Sequence, residues 1–316
     1  MRRPIALLAA LAALVSPGLR GQGSGTVLIP DPSNPTTRVG TRGANFLEIG
    51  VGARGEGLAG GYTAIAEGVT AMYWNPAGIA DIEGPAAAFT ITKLYGDMGI
   101  NHTFAGAVLP VGSAGAFGIA ITSLSSGDML RTTEAFPEGG DPTFGRTFTY
   151  TATAAGLYFA RRLTDRLDLG LGVKYASEGI DNARASYVGV DIGTKFRTGL
   201  YGTHIAASLS NLGTSGRYTG AAIQSFQVGA DGTVPLEFST RSLQMPTLFR
   251  FSVRSDVIGA SDALLTADKQ HDLVAIVEAD NAIDTDIQLV TAAQYSFRNM
   301  IFARIGKKWV NEKQTS

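Results

Sequence analysis

Cysteine is absent from the 316 residues. That absence excludes disulfides, thiol catalysis, cysteine-containing metal sites and lipid attachment at a cysteine. Charge is scarce as well: Asp, Glu, Lys and Arg make up 17%, against roughly 25% in an average soluble protein. The formal net charge is −1 with no long basic run, which points away from nucleic acid and from an anionic membrane surface. Only three histidines occur, His102, His204 and His271. They are dispersed and read as strand or loop residues rather than metal ligands. No G-x-S-x-G, H-E-x-x-H or P-loop is found, so no cofactor or metal is expected and the chain reads as a non-enzyme. Beyond the first 20 residues no apolar run reaches the ~18 of a spanning helix. What is abundant is glycine, with 40 residues.

The N-terminus carries Arg2-Arg3, then the apolar IALLAALAALV (5–15), then Ser16-Pro17-Gly18. This succession is that of a secretory signal peptide, here 1–21, with an apolar part too short for a membrane anchor. The other reading is a buried helix. Residues 22–43 hold three prolines and many small polar residues, and read as a flexible lead-in.

A helix is expected within YTAIAEGVTAMYW. There Tyr62, Ile65, Val69, Met72 and Tyr73 share one face, and Pro76 forces a stop at Trp74-Asn75. From Ala86 onward the period becomes two. Leu167, Leu169, Leu171, Val173 and Tyr175 alternate with Asp168, Gly170, Gly172 and Lys174. Val188, Val190, Ile192 and Phe196 alternate with Gly189, Asp191, Gly193 and Lys195. The same holds for Phe249, Phe251 and Val253, for Ile287, Leu289, Tyr295 and Phe297, and for Ile301, Ala303, Ile305 and Trp309. Less regular strands fall near 86–93, 102–111, 115–124, 147–160, 203–212 and 272–279, with weaker ones near 128–133 and 224–229. Short turns are expected at 164–166 and 298–299, and long loops at 134–146 and 213–246.

A soluble sandwich would crowd its second face with Lys and Glu. Here that face is Gly, Ala, Ser and scattered charges, which suits the lumen of a transmembrane antiparallel β-barrel with lipid against the apolar face. Tyr158, Phe159, Tyr175, Phe196 and Trp309 are expected at interfacial girdles. The expected organisation is a plug segment over 44–83 and a barrel over 84–316. A charged, polar ending (WVNEKQTS) after a strand suggests that the final strands of the barrel are missing.

The stretch GVGARGEGLAGG (50–61) fits G-x-G-x-x-G twice. A dinucleotide fold would need βαβ units downstream, and the strands that follow supply none. The glycines instead read as permitting close packing or left-handed turns. Asp280, Asn281, Asp284 and Asp286 lack the glycine and terminal Glu of a calcium loop and read as a solvated turn. Arg161-Arg162 and Lys307-Lys308 read as membrane-edge or lumen charges.

Over about 40 residues, FLEIGVGARGEGLAGGYTAIAEGVTAMYWNPAGIADIEG resembles the N-terminal signature of the PorV/PorQ family, within the FadL-like group of outer-membrane proteins. The matching pieces are Phe46, Gly52-Ala53-Arg54, Gly60-Gly61-Tyr62-Thr63-Ala64 and Tyr73-Trp74-Asn75-Pro76-Ala77-Gly78. SNLG (210–213) and GRYTG (216–220) resemble the family's middle region. The resemblance implies a FadL-like barrel, about 14 strands in the family, with the N-terminal segment as a plug in or against the lumen. It further implies a place in the cell outer membrane and an accessory role in type IX protein secretion, with the translocon and cargo C-terminal signal domains as partners. The alternative it implies is a channel for hydrophobic small molecules, with a hydrophobic ligand or lipid in the lumen. Ile65, Val69, Met72, Tyr73 and Trp74 would then line or gate the lumen, or simply pack as plug.

Overall fold

The computed structural model describes residues 41–140, 145–229, 232–237, 239–283 and 285–309. Residues 1–21, expected as a signal peptide, and nearly all of the expected lead-in at 22–43 lie outside them, as does the ending after Trp309. The strands are β1 (Ala86–Leu94), β2 (Ile100–Pro110), β3 (Ala116–Leu130), β4 (Thr147–Thr164), β5 (Leu167–Ile180), β6 (Ala183–Arg197), β7 (Thr203–Gly213), β8 (Ser215–Gly216) and β9 (Thr219–Gly220). They continue with β10 (Gln224–Gly229), β11 (Gly232–Glu237), β12 (Leu243–Gln244), β13 (Leu248–Gly259), β14 (Thr266–Ala267), β15 (His271–Ala282), β16 (Gln288–Phe297) and β17 (Ile301–Trp309).

The long strands form one sheet in the order β1-β2-β3-β4-β5-β6-β7-β13-β15-β16-β17. Neighbours along this path pair antiparallel throughout. Sequence neighbours are thus spatial neighbours, the meander that short antiparallel connections favour. Among the described residues, β1 and β17 each have one ladder partner. No described helix is long and apolar enough to cross a membrane.

Alternation sets the sheet's two faces. Phe117, Ile119 and Ile121 of β3 are more than half exposed, as are Leu157, Val173 and Tyr175 of β4 and β5. Between them Gly118, Ala120, Gly156, Gly172 and Lys174 are buried. The apolar face is outside and the small and charged face inside. That inverts the arrangement of a soluble sheet. Two sequence expectations shift. The weak strand near 128–133 is the end of β3, carried past a register shift between Ser125 and Asp128. Tyr158, expected at a girdle, is 8% exposed and faces inward. Its ring fills the room left by Gly156 and Gly172, where an added Cβ would lie 2.7 and 2.5 Å from ring atoms.

Residues 41–85 occupy the inner side. They contain only single turns: 3-10 turns at Asn45–Glu48 and Pro76–Asp81, and α-turns at Ala53–Glu56 and Ala71–Trp74. The helix expected from Tyr62 is therefore confined to its last four residues, although it stops at Trp74 as Pro76 requires. Gly68 takes a φ of 69°. Backbone groups that a helix would satisfy internally find partners on the wall: the Thr63 N–H donates to Glu278 Oε2 at 2.9 Å. Of the expected apolar face, Tyr62, Ile65, Val69 and Met72 are buried, while Tyr73 is only partly so.

Candidate functional site

The site is the contact between this plug and the wall that curls round it. Its centre is Asn75, which is fully buried. The side-chain Oδ1 accepts from the Ala77 N–H at 3.1 Å, capping the turn that Pro76 opens. Its Nδ2 donates to the carbonyls of Thr63 at 3.1 Å and of Thr194, on β6, at 3.0 Å. One amide thus ties two parts of the plug to the wall. Glu278 of β15 forms a second clasp, accepting from the Thr63 backbone and from Thr63 Oγ1, both at 2.9 Å.

Glycines form the seats. A Cβ at Gly170 would lie 2.2 Å from the Ala77 nitrogen, one at Gly193 2.1 Å from Asn75 Oδ1, and one at Gly306 2.3 Å from the Leu58 carbonyl carbon. Inside the plug, a Cβ at Gly78 would lie 2.3 Å from the Ala66 carbonyl oxygen. Only residues without a side chain let two backbones approach this closely. Gly50 and Gly55 abut the indole of Trp74, where an added Cβ would lie 3.2 and 2.6 Å from the ring, while Gly52 faces Thr70. The indole nitrogen donates to the Val51 carbonyl at 2.8 Å. Gly52 and Gly60 also take φ values of 83° and 90°. The doubled motif thus serves packing and turns, with Gly50, Gly55 and Gly60 against tryptophan.

Except for Phe46, which packs with Leu47, Tyr187 and Met245 in a second cluster, the remaining signature residues converge on the same place. Arg54 pairs with Glu67, donates to Gln294 at 3.1 Å and stands 5.4 Å over the Tyr62 ring. Ala53 opens the turn, Gly61 abuts Val290, and Ala77 and Gly78 are buried in the Pro76 turn. Ile65, Val69 and Met72 pack as plug; Met72 lies against Gly106 and Gly118. Tyr73 and Trp74 do more, lining a cavity of about 290 Å³ between plug and wall. Arg250 of β13 stands 5.7 and 5.2 Å over their two rings. Burial pushes the Tyr73 phenol up to about 12, with Arg250 opposing, so it stays neutral.

At the lower end of the plug, Asp81 meets Arg162, Lys195 and Arg197. Arg197 bridges Asp81 at 2.9 Å and the fully buried Asp168 at 2.7 Å. Burial raises the Asp81 carboxyl, but Lys195, Arg197 and Arg162 outweigh it and hold the group below its ordinary value.

The structure corrects one reading and divides two others. Asp280 is not in a solvated turn; it lies in β15, 7% exposed, facing the lumen beside Arg250 and Lys308. Asp284 lies outside the described residues. Of the two basic pairs, Arg162 and Lys308 face inward, whereas Lys307 sits 3.9 Å over the outward Trp309 ring. Glu278 escaped sequence reasoning, although a charge at an inward position of a strand was the available signal; Asp168 and Arg250 stand on the second faces that alternation gives, and only their partners were not legible.

No family model and no curated protein matches the chain. Solved structures do resemble its course. The toluene transporter TodX of Pseudomonas putida is 11% identical, with 79% of this chain and 81% of that one covered and a TM-score of 0.45. The monoaromatic hydrocarbon channel CymD is 10% identical, with 84% and 85% covered and a TM-score of 0.47. A FadL homologue of Pseudomonas aeruginosa is 12% identical, with 81% and 89% covered and a TM-score of 0.36. At such identities the finer resemblance to PorV and PorQ rests on the sequence signature alone, and the fold on strand pairing and the inverted faces.

Proposed function

We propose that the chain is a FadL-like outer-membrane barrel whose lumen, closed by the plug, passes small hydrophobic molecules when the plug shifts. The observation that carries the membrane assignment is the inverted sheet. Phe89, Ile91, Ile119, Leu157 and Ile305 stand exposed outside, while glycines and paired charges line the inside, which is the distribution lipid selects. The hydrophobic cargo is the class named for TodX and CymD. The close approach of plug and wall backbones at Gly170 and Gly306 supports gating by the plug.

Toluene entry into proteoliposomes holding the full chain tests this reading. Entry above that of protein-free vesicles is expected, and it should rise several-fold in Gly170→Val, which has no room for its side chain. Gly84→Ala, where an added Cβ meets nothing within 4 Å, should match the parent. Equal entry with and without protein overturns the passage reading.

A second reading, an accessory of type IX secretion, keeps one observation in its favour. That observation is the sequence signature at 52–54, 60–64 and 73–78, whose residues lie in or beside the plug. Capture of a translocon subunit or of cargo C-terminal domains by the purified protein would favour that reading, and toluene passage without such capture would remove it.

A further inference from the structure

The cavity between plug and wall does not suit a hydrocarbon. Its plug side carries Glu48, Glu56, Tyr73 and Trp74; its wall side carries Arg250, Asp280, Gln288 and Lys308. Arg250 and Asp280 face each other with side chains 5% and 9% exposed. Arg250 Nε and Asp280 Oδ1 have no hydrogen-bond partner among the described residues. They stand 3.9 Å apart, beyond hydrogen-bond reach of one another. Asp280 Oδ2 leans on Lys308 Nζ at 3.4 Å. A buried donor and a buried acceptor without partners carry an uncompensated desolvation penalty, and an apolar occupant would leave both unpaired.

We propose that this cavity binds a small zwitterion of about the size of an amino acid. The unpaired acceptor on Asp280 takes the ammonium, supported by the Glu48 and Glu56 carboxylates. The unpaired donor on Arg250 takes the carboxylate, supported by Lys308. A donor and an acceptor side by side are what one α-amino acid head satisfies at once. The volume agrees: about 290 Å³ lies at the small end of ligand pockets. Because plug and wall each supply half of the lining, a bound zwitterion bridges them and holds the plug in place. The inference goes beyond the proposed passage of hydrophobic molecules and does not depend on it, since it is read by binding alone.

The experiment is calorimetric titration of the full chain in detergent with L-glutamine, N-acetyl-L-glutamine, L-glutamine methyl ester and toluene. L-glutamine should bind, and each capped analogue should bind at least about tenfold more weakly, a loss of about 1.4 kcal/mol. Lys308→Met, at a partly exposed position, should weaken L-glutamine by a similar factor, with heat-modifiable migration checking that the variant folds. Asp280→Asn should abolish binding, with heat-modifiable migration confirming that the variant still folds. The proposal is overturned if L-glutamine gives no saturable heat, which would leave water as the sole partner of the two polar atoms. It is equally overturned if the capped analogues bind as well as the parent, or if toluene alone binds in this cavity and is displaced by Trp74→Ala.

Discussion

Asn75 shows how much one side chain can decide. It satisfies three backbone groups, the buried Thr63 carbonyl and Ala77 N–H of the plug and the part-buried Thr194 carbonyl of the wall. Asn75→Ala orphans two carbonyls and an N–H, each worth about 1–3 kcal/mol when left unpaired. Loss of about 3 kcal/mol or more is expected, read as a lowered unfolding midpoint in detergent. A change within about 0.5 kcal/mol, the range of an ordinary surface substitution, would show that the clasp is not structural. Pro76 next to it was legible from sequence as a helix stop, because its ring constrains the preceding residue wherever it occurs. The partners of Asn75 were not legible: Thr194 is 119 positions away, and only the curl of the sheet brings it close.

At the scale of elements, the strands were the most legible part. A period of two follows from the pleat itself, and β5, β6, β13, β16 and β17 fall where the alternation placed them. The plug was half legible. Its apolar face was read correctly but for the partly buried Tyr73, and its helix was not, because the wall offers the hydrogen bonds that would otherwise have to come from within. The end of the plug makes its own prediction. The Asp81 carboxyl is held below its ordinary value of 3.8, so its contribution is fully present above that value and is lost as pH falls through the lower folded one. Hydrogen exchange of residues 76–82 should therefore be unchanged between neutral pH and about pH 5, and should accelerate, beyond the intrinsic rate, only below the ordinary carboxylate value. Asp81→Asn should abolish that acid step, and a step persisting in the variant would assign it elsewhere.

At the scale of the whole molecule, the question is which solvent meets the outer face. Val173 lies mid-strand on that face, 56% exposed. If lipid covers it, Val173→Lys should cost about 2–4 kcal/mol, as a charge near the bilayer midplane does. In a water-facing sheet the same change would be nearly neutral. Assembly into membranes and the temperature of heat-modifiable migration read the difference. An unaltered migration temperature would sink the membrane assignment.

The sequence by itself determined the strands, their two unlike faces and the turns between them, because these depend on neighbours two or three residues apart. It also determined that glycine had to serve packing, since nothing downstream could build a nucleotide fold. Only the tertiary structure decided what the glycines pack against, which charges face one another and where a cavity remains. Asp280 illustrates the division. Alone it read as one acid of a solvated run. Across the ladder it stands opposite Arg250, because antiparallel pairing, not sequence distance, sets which side chains share the lumen.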